Sequence, residues 1–227
     1  MAGQGTLERY LPVDVTETMI ERTALELTSE YQGLAVHGLV CDFDHGLSDV
    51  VPTAQGPRLV AFLGGTIGNY EPRARRRFLR SLAATLGPND RLLLGTDLVK
   101  DVATLEAAYD DSAGITAEFN RNVLSVINAR LGANFDPAAF EHVAFFDREQ
   151  EWIEMRLRST RAQLVSIPRV GMNAWFAEGE ELRTEISAKF TPERIAADLG
   201  AAGLLPLRTY TDEDELFALT LAGPSRS

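Results

Sequence analysis

The chain has 227 residues, enough for one large domain or for one domain with a small accessory lobe. Its formal net charge of −11 argues against nucleic acid or an anionic membrane as a partner, because both need a basic surface. One cysteine, Cys41, excludes an internal disulfide and favours the cytoplasm, while no apolar run reaches the roughly 20 residues that cross a bilayer.

Short apolar runs alternate with helical patterns in the first half, which predicts a parallel sheet flanked by helices. The predicted strands cover residues 10–15, 35–43, 59–63 and 92–94. Helices are predicted from near Thr16, from near Pro72, and over 101–109 and 114–131. The helix that begins near Pro72 carries five arginines opposite its apolar stripe, and we interpret them as a solvated face and not as a phosphate site.

The second half changes character. Residues 141–146, 151–159 and 162–170 read as successive strands with short turns, so we expect them to be antiparallel. Residues 181–190 alternate: Glu181, Arg183, Glu185, Ser187 and Lys189 on one face, and Leu182, Thr184, Ile186, Ala188 and Phe190 on the other. A helix from 191 to about 203 and two strands, 204–210 and 216–221, complete the chain.

Three strand ends carry groups that could hold a ligand, because ligands of open α/β sheets bind beyond the carboxyl ends of the strands. Asp14 could accept hydrogen bonds from ribose hydroxyls, and Asp42 with Phe43 could hold an amine and stack on a base. The small residues from Gly64 to Asn69 would let a ligand approach the backbone. Taken singly, Asp14 is equally explained as a helix cap and Asp42 as a turn former. Together they predict a nucleoside-type cofactor of unspecified chemistry.

Six stretches of the chain carry long motifs: YLPVDVT (10–16), CDF (41–43), LVAFLGGTIGNY (59–70), LLLGTDLVKD (92–101), AAYDDSAGITAEFNRNVL (107–124) and TEISAKF (184–190). Together they resemble the histidine Nα-methyltransferases of ergothioneine biosynthesis. The resemblance runs from about residue 6 over nearly the whole chain. It implies a Rossmann-like class I methyltransferase core over 1–111, a mixed α+β accessory lobe for the substrate over 112–190, and a C-terminal helix and strands over 191–227 that complete the core sheet.

The same resemblance implies S-adenosylmethionine as cofactor, with Asp14 on the ribose and Asp42 and Phe43 around the adenine. The implied contacts to histidine are Gly64, Asn69, Tyr109, Met155, Glu185 and Ser187. Asn69 and Tyr109 would hold the amino-acid head, whereas Glu185 and Ser187 would read the imidazole. The alternation supports the last pair independently, because residues two apart on a strand share a face. A solvent-exposed Glu185 and Ser187 is the alternative interpretation.

The implied reaction is an in-line attack of the substrate α-amine on the methyl carbon of the cofactor, repeated up to trimethylhistidine (hercynine), with no metal and no side-chain nucleophile. The chain departs from the family before Tyr10, since a glycine-rich first strand and its helix are expected there. A truncated product, one half of a split enzyme completed by a second chain, or an inactive ligand-binding relative would each explain the departure. A methyltransferase for another small amine is a further alternative.

Overall fold

Strands and helices alternate in the first part of the chain, and strands dominate the second. A computed structural model describes residues 7–42 and 56–225. The strands are β1 (Arg9–Tyr10), β2 (Val13–Asp14), β3 (Ala35–Val36), β4 (Leu39–Val40), β5 (Leu59–Phe62), β6 (Arg91–Asp97), β7 (Phe140–Asp147), β8 (Trp152–Ser159), β9 (Gln163–Ile167), β10 (Met172–Phe176), β11 (Glu181–Ala188), β12 (Leu204–Thr211) and β13 (Phe217–Pro224). The α-helices are α1 (Glu17–Glu30), α2 (Pro72–Ala84), α3 (Val102–Tyr109), α4 (Ile115–Leu131) and α5 (Pro192–Ala201).

The central sheet has the strand order β12–β13–β6–β5. β5 and β6 are parallel, whereas β13 runs antiparallel to β6 and to β12. Helices α2 and α5 cover the sheet and bury its apolar side chains in one cluster. Its members include Phe78, Leu79 and Leu82 of α2, Leu92 and Leu94 of β6, and Ile195 and Leu199 of α5. This mixed sheet with packed helices confirms the predicted α/β class.

The first two predicted strands are each interrupted. β1 pairs with β3 and β2 pairs with β4, both in parallel, as two separate short ladders. Pro12 separates β1 from β2, because a proline has no N–H to donate to a ladder. Gly38 separates β3 from β4 where α1 approaches closely: a Cβ atom there would lie 2.0 Å from the Ile20 side chain. Among the described residues, no ladder joins these pairs to β5.

A three-stranded antiparallel sheet, in the order β11–β8–β7, forms a second sheet, and the hairpin β9–β10 lies beside it. Leu124 of α4 packs with Phe140, Leu157 and Phe176 in the core of this part. The predicted strand over 162–170 is too long, because β9 ends at Ile167 and the chain turns at Gly171, whose φ is +63°. β10 was not predicted, since the sequence MNAWF of Met172–Phe176 does not alternate between polar and apolar residues.

The alternation predicted for 181–190 is wrong at one point. Arg183 pairs with Arg156 and Glu185 with Met155, so Thr184 is the extra residue of a β-bulge. Residues directly opposite each other in an antiparallel ladder share a face. The bulge therefore places Leu182, not Glu181, on the face of Glu185. Glu181 lies on the opposite face, where it pairs with Arg156 and Arg158.

The interpretation of the α2 arginines as a wholly solvated face is also wrong. Arg75 is 2% exposed, and its Nε donates to the Asp198 carboxylate of α5 over 2.7 Å. Its guanidinium also lies 5.0 Å from the centre of the Phe190 ring. Arg75 ties α2 to α5, while Arg73, Arg77 and Arg80 are exposed as predicted. Within residues 7–42 and 56–225, no helix is long and apolar enough to cross a membrane.

Candidate active site

A pocket of about 400 Å³ opens where β5 and β6 end. Both strands are parallel and their carboxyl ends meet at the same edge of the sheet, which is where ligands bind in open α/β folds. One wall comes from the turn after β5, another from β11, and a third from the end of α3. The lining residues are Gly64, Gly65, Thr66, Asn69, Asp97, Tyr109, Glu185, Ser187, Lys189 and Phe217.

The turn after β5 needs its glycines. Gly64 and Gly65 have φ angles of +78° and +72°, which side chains rarely adopt, and a 3-10 turn follows over Thr66–Asn69. Gly68 lies against β11 so closely that a Cβ atom would stand 2.7 Å from the Ala188 carbonyl oxygen. The turn therefore packs its backbone directly on β11 and brings Asn69 to the same pocket as Ser187.

The ends of β6 and β11 are also joined. The Phe190 N–H donates to the Asp97 carbonyl over 2.9 Å, and the Val99 N–H donates to the Phe190 carbonyl over 3.0 Å. This link brings Lys189 against the carboxylate that ends β6: the Lys189 Nζ lies 2.7 Å from Asp97 Oδ2. The other oxygen of Asp97 lies 2.5 Å from the Lys100 Nζ.

The Lys189 side chain is fully buried and contacts the hydroxyl groups of two neighbouring residues. Its Nζ donates to Tyr109 Oη over 2.8 Å and to Ser187 Oγ over 3.0 Å. The two hydroxyls also contact each other, with Tyr109 Oη 2.7 Å from Ser187 Oγ. A buried charge is tolerated when it is paired and hydrogen-bonded, and the Asp97 carboxylate with the two hydroxyls meets that requirement.

Glu185 faces the same pocket and is half-buried. Burial raises the pKa of its carboxyl above the ordinary range, and the positive charge of Lys189 opposes that rise. Among the described residues, none donates a hydrogen bond to the Glu185 carboxylate. A partly desolvated carboxylate in this state can accept hydrogen bonds from a ligand.

Tyr109 is held from behind by β7 and α4. The Asn120 side-chain amide donates to His142 Nδ1 over 2.9 Å and to the Arg156 carbonyl over 3.1 Å. The remaining ring N–H of His142, on Nε2, then donates to the Tyr109 carbonyl over 2.8 Å. His142 and Asn120 thus fix the end of α3, although neither lines the pocket.

The structure brings five of the six predicted substrate residues to this pocket: Gly64, Asn69, Tyr109, Glu185 and Ser187. Met155 is not on its wall. It is 3% exposed and packs with Leu105 and Ile153 on the ladder position opposite Glu185, so it supports that residue from below. Among the wall residues that sequence reasoning missed, Lys189 shares the period-two face of Glu185 and Ser187, and Asp97 ends a buried strand. Those two signals could have identified them.

Two of the predicted cofactor residues, Asp14 and Asp42, do not line this pocket and lie at the carboxyl ends of another pair of parallel strands. The Cys41 N–H donates to the Asp14 carbonyl over 3.0 Å, which places Asp14 and Asp42 at neighbouring ends of the parallel pair β2–β4. Asp14 Oδ1 accepts from the Thr16 N–H over 2.8 Å, a short turn immediately before α1. No described residue donates to Asp14 Oδ2. Phe43 lies outside the described residues.

Comparison with known proteins identifies relatives along almost the whole chain. Residues 1–224 match the family described as "Histidine-specific methyltransferase, SAM-dependent". The chain is 46% identical to the histidine N-alpha-methyltransferase of Mycobacterium tuberculosis, over 96% of this chain and 68% of that enzyme. It is 47% identical to the enzyme of the same name from Mycolicibacterium smegmatis, over 95% of this chain and 67% of that enzyme.

A more distant relative is the ergothioneine biosynthesis protein 1 of Neurospora crassa, 27% identical over 96% of this chain and 24% of that protein. A solved S-adenosylmethionine-dependent methyltransferase from Clostridium acetobutylicum is 10% identical, with a TM-score of 0.48 over 95% of this chain and 75% of that one. The match to residues 1–224 and the 46–47% identity agree with the resemblance found in the motifs. The chain therefore belongs to the histidine-specific, S-adenosylmethionine-dependent methyltransferases.

Proposed function

We propose that this protein transfers methyl groups from S-adenosylmethionine to the α-amino group of L-histidine, as far as trimethylhistidine, in ergothioneine biosynthesis. Two relatives that carry the name histidine N-alpha-methyltransferase, at 46% and 47% identity, support the proposal. The observation that carries it is the pair of opposite hydrogen-bonding groups in one pocket. Glu185 supplies an acceptor there, and the hydroxyls of Tyr109 and Ser187 lie on the same wall.

That pair suits an imidazole ring. A neutral imidazole has one N–H that donates and one bare nitrogen that accepts. Glu185 can accept from the N–H, and the hydroxyl of Ser187 can donate to the bare nitrogen. An apolar side chain of similar size would leave both groups unpaired and desolvated, which costs about 1–3 kcal/mol for each group. The pocket therefore favours an imidazole by its hydrogen bonds and disfavours an apolar side chain by the unpaired polar groups that it would leave.

The remaining wall suits the amino-acid head. Asn69 offers an amide that can donate to a carboxylate or accept from an amine, and the glycine turn lets the head approach the backbone. We assign Asn69, with Gly64 beside it, to the head of histidine and Tyr109 to its carboxylate. An α-amine has a pKa of about 8, so it must be bound as, or converted to, its free base before it can attack; conversion within the site leaves binding independent of the amine's charge. Holding the amine in line accounts for most of the catalysis.

The residues present fit S-adenosylmethionine. Asp14 and Asp42 end neighbouring parallel strands, and carboxylates at strand ends suit the hydroxyls and amine of a nucleoside. We assign Asp14 to the ribose, and Asp42 with Phe43 to the adenine. When bound, the cofactor supplies an electrophilic methyl group on a sulfonium. The chain itself contributes the orientation of the histidine amine, and Gly64 and Gly65 leave room for close approach along the backbone.

The proposal is tested by methyl transfer. The protein is incubated with S-adenosylmethionine carrying a trideuterated methyl group and with each of the twenty amino acids in turn, and products are measured by mass spectrometry. We expect labelled mono-, di- and trimethylhistidine, with other amino acids at least about 100-fold slower. Faster labelling of another amino acid would establish the alternative amine substrate. Binding of histidine without any labelled product would establish an inactive ligand-binding relative.

Three further assignments belong to the same proposal. We divide the chain into a core over 1–111, a substrate lobe over 112–190 and a completing segment over 191–227. Among the described residues β5 ends the order of the central sheet, and an end strand can accept a further strand, which we propose a second chain supplies. Native mass spectrometry of the protein purified from its source would reveal such a chain as a heteromeric mass. The single cysteine supports a cytoplasmic location.

A further inference from the structure

Lys189 has a bonding pattern that substrate contact alone does not explain. An ammonium group has three N–H donors and no acceptor. All three donors of Lys189 are used: by Asp97 Oδ2 at 2.7 Å, by Tyr109 Oη at 2.8 Å and by Ser187 Oγ at 3.0 Å. The side chain is fully buried, so these three oxygens replace its hydration completely.

The pattern leaves one hydroxyl proton for a ligand. Tyr109 and Ser187 have two hydroxyl protons between them, and their mutual contact at 2.7 Å uses one. Both oxygens also accept from Lys189, so the Ser187 proton is available to point into the pocket. The Tyr109 proton becomes available as well when a ligand carboxylate accepts it in place of Ser187 Oγ. A cation that donates to a hydroxyl polarises it, which strengthens the O–H as a donor and weakens the oxygen as an acceptor.

We propose that Lys189 is a positioning residue that makes the wall formed by Tyr109 and Ser187 a hydrogen-bond donor, so that the pocket selects the neutral imidazole of its substrate. The inference rests on the proposed function. A neutral ring gives its N–H to Glu185 and its bare nitrogen to the donor wall. An imidazolium has two N–H groups, one of which would face the polarised hydroxyls in front of a buried ammonium.

The charges around the ring point the same way. Glu185 of β11 and Asp97 of β6 are the carboxylates at the pocket, and Lys189 and Lys100 balance them in number. His142 of β7 stands behind Tyr109, with its ring nitrogens on the Asn120 side chain and the Tyr109 carbonyl. An imidazolium would therefore add an uncompensated positive charge within a partly desolvated site.

Nuclear magnetic resonance tests the protonation state directly. L-Histidine labelled with ¹⁵N in its ring is bound to the native protein at pH 5.5 with S-adenosylhomocysteine present. Free histidine is mostly imidazolium at this pH, because its ring has a pKa near ~6.5. We expect the bound ring to show one protonated and one bare nitrogen. Two protonated nitrogens in the bound ring would overturn the proposal, whatever the behaviour of any variant.

Lys189→Met tests the role of the lysine, with Lys100→Met as the matched control. Both remove a cation from Asp97, but only the first removes the contacts to Tyr109 and Ser187. For the native protein, calorimetry should show histidine binding about tenfold weaker at pH 5.5 than at pH 7.5, as the neutral ring becomes scarce. Lys100→Met leaves both hydroxyl contacts in place and should keep a ratio of at least about fivefold, whereas Lys189→Met should reduce it to about twofold or less.

The two proposals fail separately. A native protein that binds no histidine at either pH contradicts the proposed function and leaves no site for Lys189 to organise. A native protein that binds and methylates histidine, while Lys189→Met keeps the tenfold ratio, contradicts only the role of Lys189. Circular dichroism of each variant checks folding. Should Lys189→Met unfold, Lys189→Gln is measured in its place, with the same expected loss of pH dependence. The ¹⁵N spectrum of the native complex tests the protonation state of the bound ring without any variant.

Discussion

The half-buried carboxylate of Glu185, which we propose binds the imidazole, lowers the stability of the folded protein when it is ionised. Burial raises the pKa of its carboxyl, which means that the folded state binds the proton more tightly than the unfolded state. The ionised form therefore costs free energy of folding. That cost is absent below the unfolded pKa of about 4.3 and is fully present once the pH has risen through the folded pKa. This cost supports the proposed role of Glu185 in binding the imidazole.

Glu185→Gln should separate the two effects. The amide keeps the shape but removes the charge, so we expect a higher melting temperature at pH 7 and no difference from the native protein at pH 3. Methylation of histidine should fall about 10- to 100-fold in kcat/KM, because a charged hydrogen bond to the ring is lost. Thermal unfolding at both pH values and steady-state kinetics check this.

The control is Glu181→Gln, on the opposite face of the same strand. Glu181 binds Arg156 and Arg158 and does not line the pocket. The Glu181→Gln variant should keep kcat/KM within about twofold of the native value, because Glu181 does not contact the ring. Its ion pairs near the surface contribute about 0–1 kcal/mol to stability. Native rates in Glu185→Gln would remove Glu185 from substrate recognition.

Between elements, the bulge at Thr184 decides which side chains of β11 reach the pocket. The sequence alternates through this region, and alternation alone predicts a regular strand. The extra residue shows in the pairing of β11 with β8, whose paired residues at the bulge lie 25 or more positions away along the chain. No local pattern in the sequence contains it. Glu185, Ser187 and Lys189 were still assigned to one face correctly, because all three follow the bulge. Leu182, which precedes it, was assigned to the wrong face.

Two single-residue deletions test this geometry. Deleting Thr184 removes the extra residue and preserves the pairing of Arg183 with Arg156 and of Glu185 with Met155. We expect this variant to fold and to bind histidine with weakened affinity. Deleting Ile186 removes a residue of the ladder, which turns Glu185 to the opposite face. Calorimetry should detect no histidine binding by that variant; equal binding by the two would contradict the assignment of the bulge.

The start of α4 is fastened by Asp111. Its carboxylate accepts from the Thr116 N–H over 2.7 Å and the Ile115 N–H over 3.1 Å. A hydrogen bond from the Thr116 side chain, together with these two backbone bonds, lowers the pKa of Asp111 to about 2. A lowered carboxyl pKa adds stability above the unfolded value near 3.9, and that stability is lost as the pH falls to about 2.

Asp111→Ala should therefore lower the melting temperature at pH 7, with a difference that narrows below about pH 4 and closes near pH 2. Asp110→Ala is the matched control, because the neighbouring carboxylate makes no hydrogen bond to a described residue. Melting curves across this pH range measure both variants. A difference that persists unchanged at pH 2 would show that Asp111 acts by something other than its charge.

At the scale of the whole molecule, local patterns predicted the order of elements well and their spatial partners poorly. Strand ends and glycine turns located Gly64 and Asn69, and the motifs added Tyr109, Glu185 and Ser187. Lys189 and Asp97 are 92 residues apart, and Arg75 and Asp198 are 123 apart. A charged residue in a helix or strand reads as solvent-exposed until the sheet order brings its partner to it. Local signals could single out Lys189 and Asp97 as residues, but the pairing of each buried ion with its partner could not be predicted.

The most direct measurement is a crystal structure of the protein with L-histidine and S-adenosylhomocysteine. We expect the histidine ring to occupy the pocket between β11 and the turn after β5. One ring nitrogen should lie about 3 Å from the Glu185 carboxylate and the other about 3 Å from the Ser187 hydroxyl, with the α-carboxylate near Asn69 and Tyr109. A ring outside this pocket, or one whose nitrogens contact neither Glu185 nor Ser187, would contradict it.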